Sequence, residues 1–151
     1  PIRCVGSAAF AEPAYLRAFQ ALLDGRLVRW DGEVSDRGRL AAIIRGSRGL
    51  VLPSRNEGSP LVILEAMACG RPVMCSDLSD LRALYGDSVT YCHLPQQPRF
   101  ARELRDFFER TPTTHFSAAA VIPWMEVGRR IMEIYRRVLR VRQSEEPPDE
   151  K

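Results

Sequence analysis

Lysine is nearly missing from this chain of 151 residues, and histidine and cysteine are scarce. Lys151 is the sole lysine, so almost all of the positive charge comes from arginine, and the formal net charge is only +3. A charge this small gives no reason to expect binding to nucleic acid. We therefore predict no nucleic acid partner.

The cysteines and histidines do not form a recognisable site. Four cysteines are present, at Cys4, Cys69, Cys75 and Cys92. They contain no Cys-x-x-Cys pair and have no pair of histidines nearby, so we predict free thiols in a reducing compartment and no metal site. His93 and His115 stand alone, with no nucleophile in a recognisable frame, and we assign catalysis to neither.

Long apolar runs are also missing. No stretch approaches the roughly 18 to 20 apolar residues of a membrane span, and no basic segment followed by an apolar one opens the chain. Apolar residues make up 45% and charged residues 27%, which is typical of one soluble globular domain, and the free thiols favour the cytoplasm. Because the chain starts at Pro1, inside an apparent strand and without an initiator Met, we expect a fragment.

Short apolar runs alternate with amphipathic segments along the first two thirds of the chain. Strands are predicted at 2–6, 27–31, 49–52, 72–76 and 88–92, and helices at 12–23, 36–45, 60–68 and 78–85. This alternation favours a parallel sheet covered on both faces, so the predicted fold class is α/β, doubly wound. Two further helices are predicted at 99–110 and 124–142, with a Thr/Pro break at 111–114 between them and a disordered tail at 143–151.

The junction between the third predicted strand and the following helix has the features of a ligand site. Ser59 suits a helix N-cap, and Pro60 suits the first helical position. Open α/β sheets bind ligands at such junctions, beyond the carboxyl ends of their strands. Leu61 and Val62 offer unpaired N–H groups at the positive end of a helix, and this favours the binding of a phosphate. Gly58 allows the backbone to approach a ligand closely.

Two acidic residues flank this junction. Glu65 lies among residues 61–68, all otherwise apolar, and a helix of that composition is expected to be buried. Because a buried unpaired carboxylate is costly, Glu65 either has an internal partner or lies at a cleft edge and binds a diol such as ribose. Glu57 either faces the same cleft or is a solvated loop acid.

The run from Leu52 to Val73 decides between these alternatives through a family resemblance. It contains Leu-Pro-Ser-x-x-Glu-Gly-x-Pro-Leu-x-x-Leu-Glu-Ala-Met-Ala-x-Gly-x-Pro-Val. This string strongly resembles the donor-site signature of retaining glycosyltransferases of family 4 and their GT-B relatives. The match includes the two glutamates, separated by seven residues. The likeness extends over roughly residues 2 to 140.

The resemblance implies the C-terminal, Rossmann-like half of a GT-B fold, here residues 1–142, lacking its first strand–helix unit. It implies that Glu65 binds the ribose hydroxyls, and that Glu57 binds the transferred sugar close to the reacting centre. Backbone contacts to the diphosphate and sugar are implied for Gly58, Ser59, Leu61 and Val62. Val34, in the turn after the second predicted strand, is a candidate for contact with the base.

The function implied by the resemblance is that of a hexosyltransferase-type glycosyltransferase. It would move a sugar from a nucleotide diphosphate to a saccharide or lipid acceptor, without a metal or other cofactor. The diphosphate-binding cations and the N-terminal acceptor domain of the family would lie upstream of Pro1, so we expect the isolated chain to be inactive. The alternatives are a non-catalytic or partner-dependent nucleotide-sugar-binding module and a GT-B-shaped epimerase, against which the full Leu-Glu-Ala-Met-Ala run argues.

Two groups of arginines need a separate interpretation. Arg55 and Arg71 are candidates for part of the missing positive charge, although interaction with the end of the preceding helix is favoured for Arg71. The last predicted helix contains Arg129, Arg130, Arg136, Arg137, Arg140 and Arg142 around an apolar stripe. We expect this stripe to pack on the domain; the alternative is that the helix lies on an anionic membrane and makes the protein peripheral to its inner face.

Overall fold

The computed structural model describes residues 1–94, 97–110 and 122–145. The strands are β1 (Ile2–Cys4), β2 (Val28–Trp30), β3 (Leu50–Leu52), β4 (Val73–Ser76) and β5 (Thr90–Cys92). The helices are α1 (Pro13–Gln20), α2 (Arg37–Arg45), α3 (Leu61–Ala68), α4 (Ser79–Tyr85), α5 (Gln97–Arg110) and α6 (Trp124–Glu145), with a short 3₁₀ turn after α4. The predicted α/β class and the order of its elements are confirmed.

The strands pair in parallel, but they form two small sheets. β1 pairs with β2, with Ile2 opposite Val28, and β3, β4 and β5 form a second sheet in chain order. All four residues of β4 are buried, whereas the residues of β1 and β2 are partly or fully exposed. The arrangement is that of a Rossmann-like GT-B half domain whose parallel strands are divided between two sheets.

The second sheet is covered on both faces, as the doubly wound pattern predicts. Alternate residues of a strand point to opposite faces. Val73 and Cys75 therefore belong to one buried cluster, with residues of α2, α3 and α4, while Met74 belongs to another, with Cys92 and with Phe107 of α5. The core thus lies around β4, directly behind the carboxyl ends of the strands.

Gly70 ends α3 as predicted. Its φ is +68°, in the left-handed region that favours glycine. The N–H of Gly70 donates to the Met67 carbonyl and the N–H of Arg71 donates to the Ala66 carbonyl, both at 2.9 Å. This is a Schellman motif, and it turns the chain sharply from α3 into β4.

A side chain at Gly49, immediately before β3, would be crowded by its neighbours. A Cβ at this position would lie 3.0 Å from the Pro72 carbonyl oxygen and 3.1 Å from a ring atom of Phe107. Because this crowding forces the packed ring or backbone to move, we expect Gly49→Ala to lower the free energy of unfolding by about 1–3 kcal/mol. Urea denaturation measures this difference.

Gly128 in α6 provides the matched control for that substitution. A Cβ there would meet no atom within 4 Å. Since alanine favours helix by about 1 kcal/mol over glycine, Gly128→Ala should leave stability unchanged or raise it. A Gly49→Ala protein as stable as the parent would contradict the close approach of β3 to α5.

The C-terminal region departs from the sequence prediction in two ways. α6 includes residues 143–145, which the pattern had assigned to a disordered tail. Every residue from Gly128 to Arg137 is exposed, so this part of the apolar stripe does not pack on the residues that the structure describes. None of the helices in the described ranges has the length and hydropathy needed to span a membrane. The Thr/Pro break, His115 and residues 146–151 lie outside the described residues.

Candidate functional site

The connection between β3 and α3 lies at the carboxyl end of the second sheet, where the sequence places the ligand site. It runs from Pro53 to Pro60. Gly58 and Ser59 are exposed, and Glu57 is half-buried. Glu57, Gly58 and Ser59 thus lie together in one loop, immediately before the helix start that contains Leu61 and Val62.

The start of α3 is shifted by one residue from the prediction. Pro60, in an extended conformation, occupies the N-cap position and makes no side-chain capping bond, so Ser59 is not the cap. The first backbone bond of the helix joins the Ile63 N–H to the Pro60 carbonyl at 3.2 Å. Because the proline ring has no acceptor, the N–H groups of Leu61 and Val62 have no protein acceptor within the described part of the chain.

Glu65 lies on the solvent-facing stripe of α3. The buried residues of this helix are Ile63, Ala66 and Met67. Leu61 and Ala68 are exposed, and Glu65 lies between them at helical spacing and is half-buried. The prediction that the helix is buried on every side is therefore wrong. Among residues 1–94, 97–110 and 122–145, no ion pair or side-chain hydrogen bond reaches Glu65, so the alternative of an internal partner has no support.

Tyr85, at the end of α4, supports the helix start and was not predicted from the sequence. Its hydroxyl lies 3.5 Å from the Pro60 carbonyl oxygen, to which it donates. Burial raises the pKa of Tyr85, and the neighbouring Cys75 and Glu57 contribute in the same direction. Glu57 is therefore close enough to this phenol to interact with it. The sequence signal was the spacing of Leu81 and Tyr85 on one helical face, combined with the need of a buried phenol for a partner.

Three further candidates lie apart from this junction. Val34 is half-buried in the connection between β2 and α2, and no hydrogen bond or ion pair within the described ranges links it to the β3–α3 loop. The Arg71 guanidinium donates to the carbonyls of Cys69 and Ser47, at 3.4 and 3.3 Å, which confirms its assignment to the end of α3. Arg55 is exposed and makes no ion pair with a described residue.

A network of polar and charged side chains occupies the ends of the two neighbouring strands. Asp77 directly follows β4 and His93 directly follows β5. The His93 ring nitrogens lie 3.2 Å from Asp77 and 2.9 Å from Glu103 of α5. Arg82 pairs with Asp77 and Arg99 pairs with Glu103. The network ties α5 to the sheet edge, beside the candidate site.

The arginines of this network set the charge state of its acids. The hydrogen bond from Arg82 holds the pKa of Asp77 below its usual value. Burial alone would raise the pKa of Glu103, but the hydrogen bonds donated by the His93 N–H and by Arg99 lower it on balance. Both carboxylates are therefore ionised at neutral pH and already engaged by protein groups. The network was not predicted from the sequence. The signal for it was that Asp77 and His93 each directly follow a strand, at the sheet edge where α/β folds bind ligands.

No cluster of three or more His, Cys, Asp or Glu side chains that could hold a metal ion is present in the part of the chain that the structure describes. What the β3–α3 junction offers instead is two unpaired backbone N–H groups between two carboxylates. Such an arrangement can bind an anion at the helix start and neighbouring hydroxyl groups at the carboxylates.

Comparison with known proteins assigns the chain to a family. Residues 2–110, which include every candidate residue, match the family described as Glycosyl transferases group 1. The chain belongs to the group 1 glycosyltransferases. Its α/β fold and the run from Leu52 to Val73, which resembles the signature of this family, agree with this membership.

Curated relatives of this glycosyltransferase domain are much longer proteins. A D-inositol 3-phosphate glycosyltransferase of Streptosporangium roseum is 30% identical over 145 residues, which cover 87% of this chain and 33% of that protein. An O-antigen chain mannosyltransferase B of Escherichia coli is 43% identical over 61 residues, covering 40% of this chain and 16% of that protein. A putative teichuronic acid biosynthesis glycosyltransferase of Bacillus subtilis is 38% identical over 60 residues, covering 40% and 15%. The chain thus spans about a third of the first relative.

Proposed function

We propose that this domain binds a nucleotide-diphosphate sugar at the β3–α3 junction and, within a longer glycosyltransferase, presents the sugar for retaining transfer to a saccharide or lipid acceptor. One observation carries the proposal. Leu61 and Val62 present two N–H groups without a protein acceptor, and the carboxylates of Glu57 and Glu65 beside them have no ion-pair or hydrogen-bond partner among the described residues.

The diphosphate fits the helix start. Two free N–H groups and the positive end of the α3 dipole favour a negative group there. The loop is open on this side, since a Cβ on Gly58 would meet no atom within 4 Å and Ser59 is exposed. In this proposal, backbone groups of Gly58, Ser59, Leu61 and Val62 hold the diphosphate and the sugar. They also stabilise the charge that develops on the leaving diphosphate, with no role for a metal.

The two carboxylates fit the hydroxyl groups at either end of the diphosphate. Glu65, one helical turn beyond Leu61 on the same exposed stripe, would accept hydrogen bonds from the ribose diol. Glu57, in the loop before the helix, would bind hydroxyls of the transferred hexose and lie beside the reacting carbon. Val34 would contact the base. Tyr85 supports this arrangement by holding the Pro60 carbonyl.

The acceptor requires parts of the protein that this domain does not supply. For transfer, the sugar must be shielded from water and oriented toward its acceptor. Both require that another part of the protein form the opposite side of the cleft. The matched relatives extend well beyond the aligned region. Their names include D-inositol 3-phosphate and an O-antigen chain, which supports an acceptor rich in hydroxyl groups. We therefore propose that the 151-residue chain binds the donor but does not transfer it.

Calorimetric titration with UDP-, GDP- and ADP-glucose tests the binding site. We expect one of these donors to bind, and Glu65→Ala to weaken its binding about tenfold, because hydrogen bonds to a charged group are lost. Glu109→Ala is the matched control, since Glu109 is an exposed acid of α5 on another part of the surface. Unchanged affinity in Glu65→Ala, or an equal loss in Glu109→Ala, would remove Glu65 from the site.

A further inference from the structure

The His93 ring lies between two carboxylates at the carboxyl edge of the second sheet. Its Nε2 atom is 3.2 Å from Oδ2 of Asp77, which follows β4, and its Nδ1 atom is 2.9 Å from Oε1 of Glu103 on α5. The backbone N–H of His93 also donates to Oε2 of Glu103, at 2.9 Å. Asp77, His93 and Glu103, called the His93 bridge below, thus connect α5 to the ends of β4 and β5.

The two ring contacts of the bridge differ in what they ask of the His93 protons. A neutral imidazole has one N–H and one bare lone pair, whereas an imidazolium donates from both nitrogens. An ionised carboxylate only accepts hydrogen bonds. A neutral His93 would therefore donate to one carboxylate and turn its lone pair toward the other. Both contacts are hydrogen bonds only when both ring nitrogens carry a proton.

The two acids of the bridge stay ionised where histidine titrates, near about pH 6.5. The hydrogen bond from Arg82 of α4 lowers the pKa of Asp77. Burial raises the pKa of Glu103, but the hydrogen bonds donated by the His93 N–H and by Arg99 lower it on balance. Because both acids titrate below this range and arginine stays charged above it, His93 is the member of the network whose charge changes there.

The other contacts that hold α5 on the sheet do not change with pH near neutrality. Phe107 packs with Met74 of β4 and Cys92 of β5. Burial raises the pKa of the Cys92 thiol, which therefore stays uncharged in this range. Arg48 donates to the Phe108 carbonyl at 2.7 Å, and an arginine keeps its charge throughout. Any pH dependence in the attachment of α5 thus comes from His93.

We propose that the His93 bridge makes the attachment of α5 dependent on pH. With both ring nitrogens protonated, His93 holds both carboxylates; after the loss of one proton, it releases one of them. Because protonation favours the closed bridge, its stabilisation is complete below the pH at which a free histidine titrates and is lost as the pH rises through and beyond it. The side chain of His93 is 42% exposed, so its protons exchange with solvent while α5 is in place.

The proposal has a consequence for the packing behind β3. Phe107 of α5 lies against Gly49, immediately before β3, so a looser α5 leaves this contact less often formed. The inference does not rest on the nucleotide-sugar proposal, because the bridge contains none of the residues assigned to the donor. The two can therefore fail separately.

Hydrogen exchange of the 151-residue chain tests the proposal, measured over residues 97–110 between about pH 6 and about pH 8.5. The comparison is with His93→Gln, which is uncharged at every pH, and comparison at equal pH cancels the intrinsic change in exchange rate. We expect α5 to open about three- to tenfold more often in the variant than in the parent at about pH 6. That ratio should approach one at about pH 8.5.

Two further substitutions on α5 separate the bridge from a general effect of charge. In a Glu103→Gln background, His93→Gln should change α5 opening less than about twofold, because one of the two acceptors is already neutral. Glu109→Gln removes an exposed acid of the same helix and should leave the His93 effect and its pH dependence intact. A ratio that does not vary with pH, or an equal loss of the effect in the Glu109→Gln background, overturns the proposal.

Two-bond ¹H–¹⁵N spectra of the parent read the ring of His93 directly, whether or not the variants fold. The chain has two histidines, so few signals need assignment. We expect protons on both ring nitrogens of His93 at about pH 6 and on one at about pH 8.5. A His93 ring with a single proton at about pH 6 would show that the bridge does not need the imidazolium, and the proposal would be wrong.

Discussion

Replacing Leu61 by proline is expected to weaken nucleotide-sugar binding by about 10- to 100-fold while the domain stays folded. Leu61 is the first residue of α3, and proline is favoured at that position because it lacks an N–H that the helix does not use. Pro60 has the extended conformation, with φ −69° and ψ 113°, that a residue before proline prefers. The substitution therefore removes one donor to the diphosphate and little else.

Leu61→Ala separates the N–H from the side chain. It keeps the backbone donor and shortens a side chain that is already 54% exposed. We expect calorimetric titration to give near-parent affinity for Leu61→Ala and the full loss for Leu61→Pro, with both proteins showing parent-like circular dichroism. Equal affinity in the two variants would mean that the Leu61 N–H does not contact the ligand.

Local patterns were sufficient to predict the order of elements, but not how the strands assemble. Apolar runs bounded by Gly and Pro located all five strands, and Gly70 ended α3 where expected. The division into two sheets was not predicted. Whether β2 continues into the sheet of β3 depends on packing between segments far apart in sequence, and no short pattern around Val28–Trp30 encodes it.

The residues of the candidate site were predicted better than the burial and the capping of the helix that carries them. Glu65 was correctly identified as unusual in an apolar helix, but the helix is buried on one face only. Where every neighbour is apolar, periodicity cannot tell that Leu61 and Ala68 face solvent while Ile63 faces the core. Ser59 was preferred over Pro60 as the cap because its hydroxyl can accept a bond. The structure leaves that bond unmade, which frees the donors that the proposed ligand needs.

Replacing Leu81 by alanine is expected to lower the free energy of unfolding by about 3 kcal/mol. Leu81 is 0% exposed and belongs to the buried cluster that contains Ile63 and Met67 of α3. Truncation would leave a cavity between α4 and α3 that close-packed neighbours cannot fill. Urea denaturation at constant temperature measures the change.

Leu84→Ala, on the same helix, is the control for this effect. Leu84 is 55% exposed, so the same truncation should cost less than about 1 kcal/mol. Because Tyr85 follows on α4 and holds the Pro60 carbonyl, a loosened α4 should also weaken donor binding, and Leu84→Ala should not affect it. If Leu81→Ala loses stability but binds the donor as tightly as the parent, α4 supports the core without positioning the start of α3.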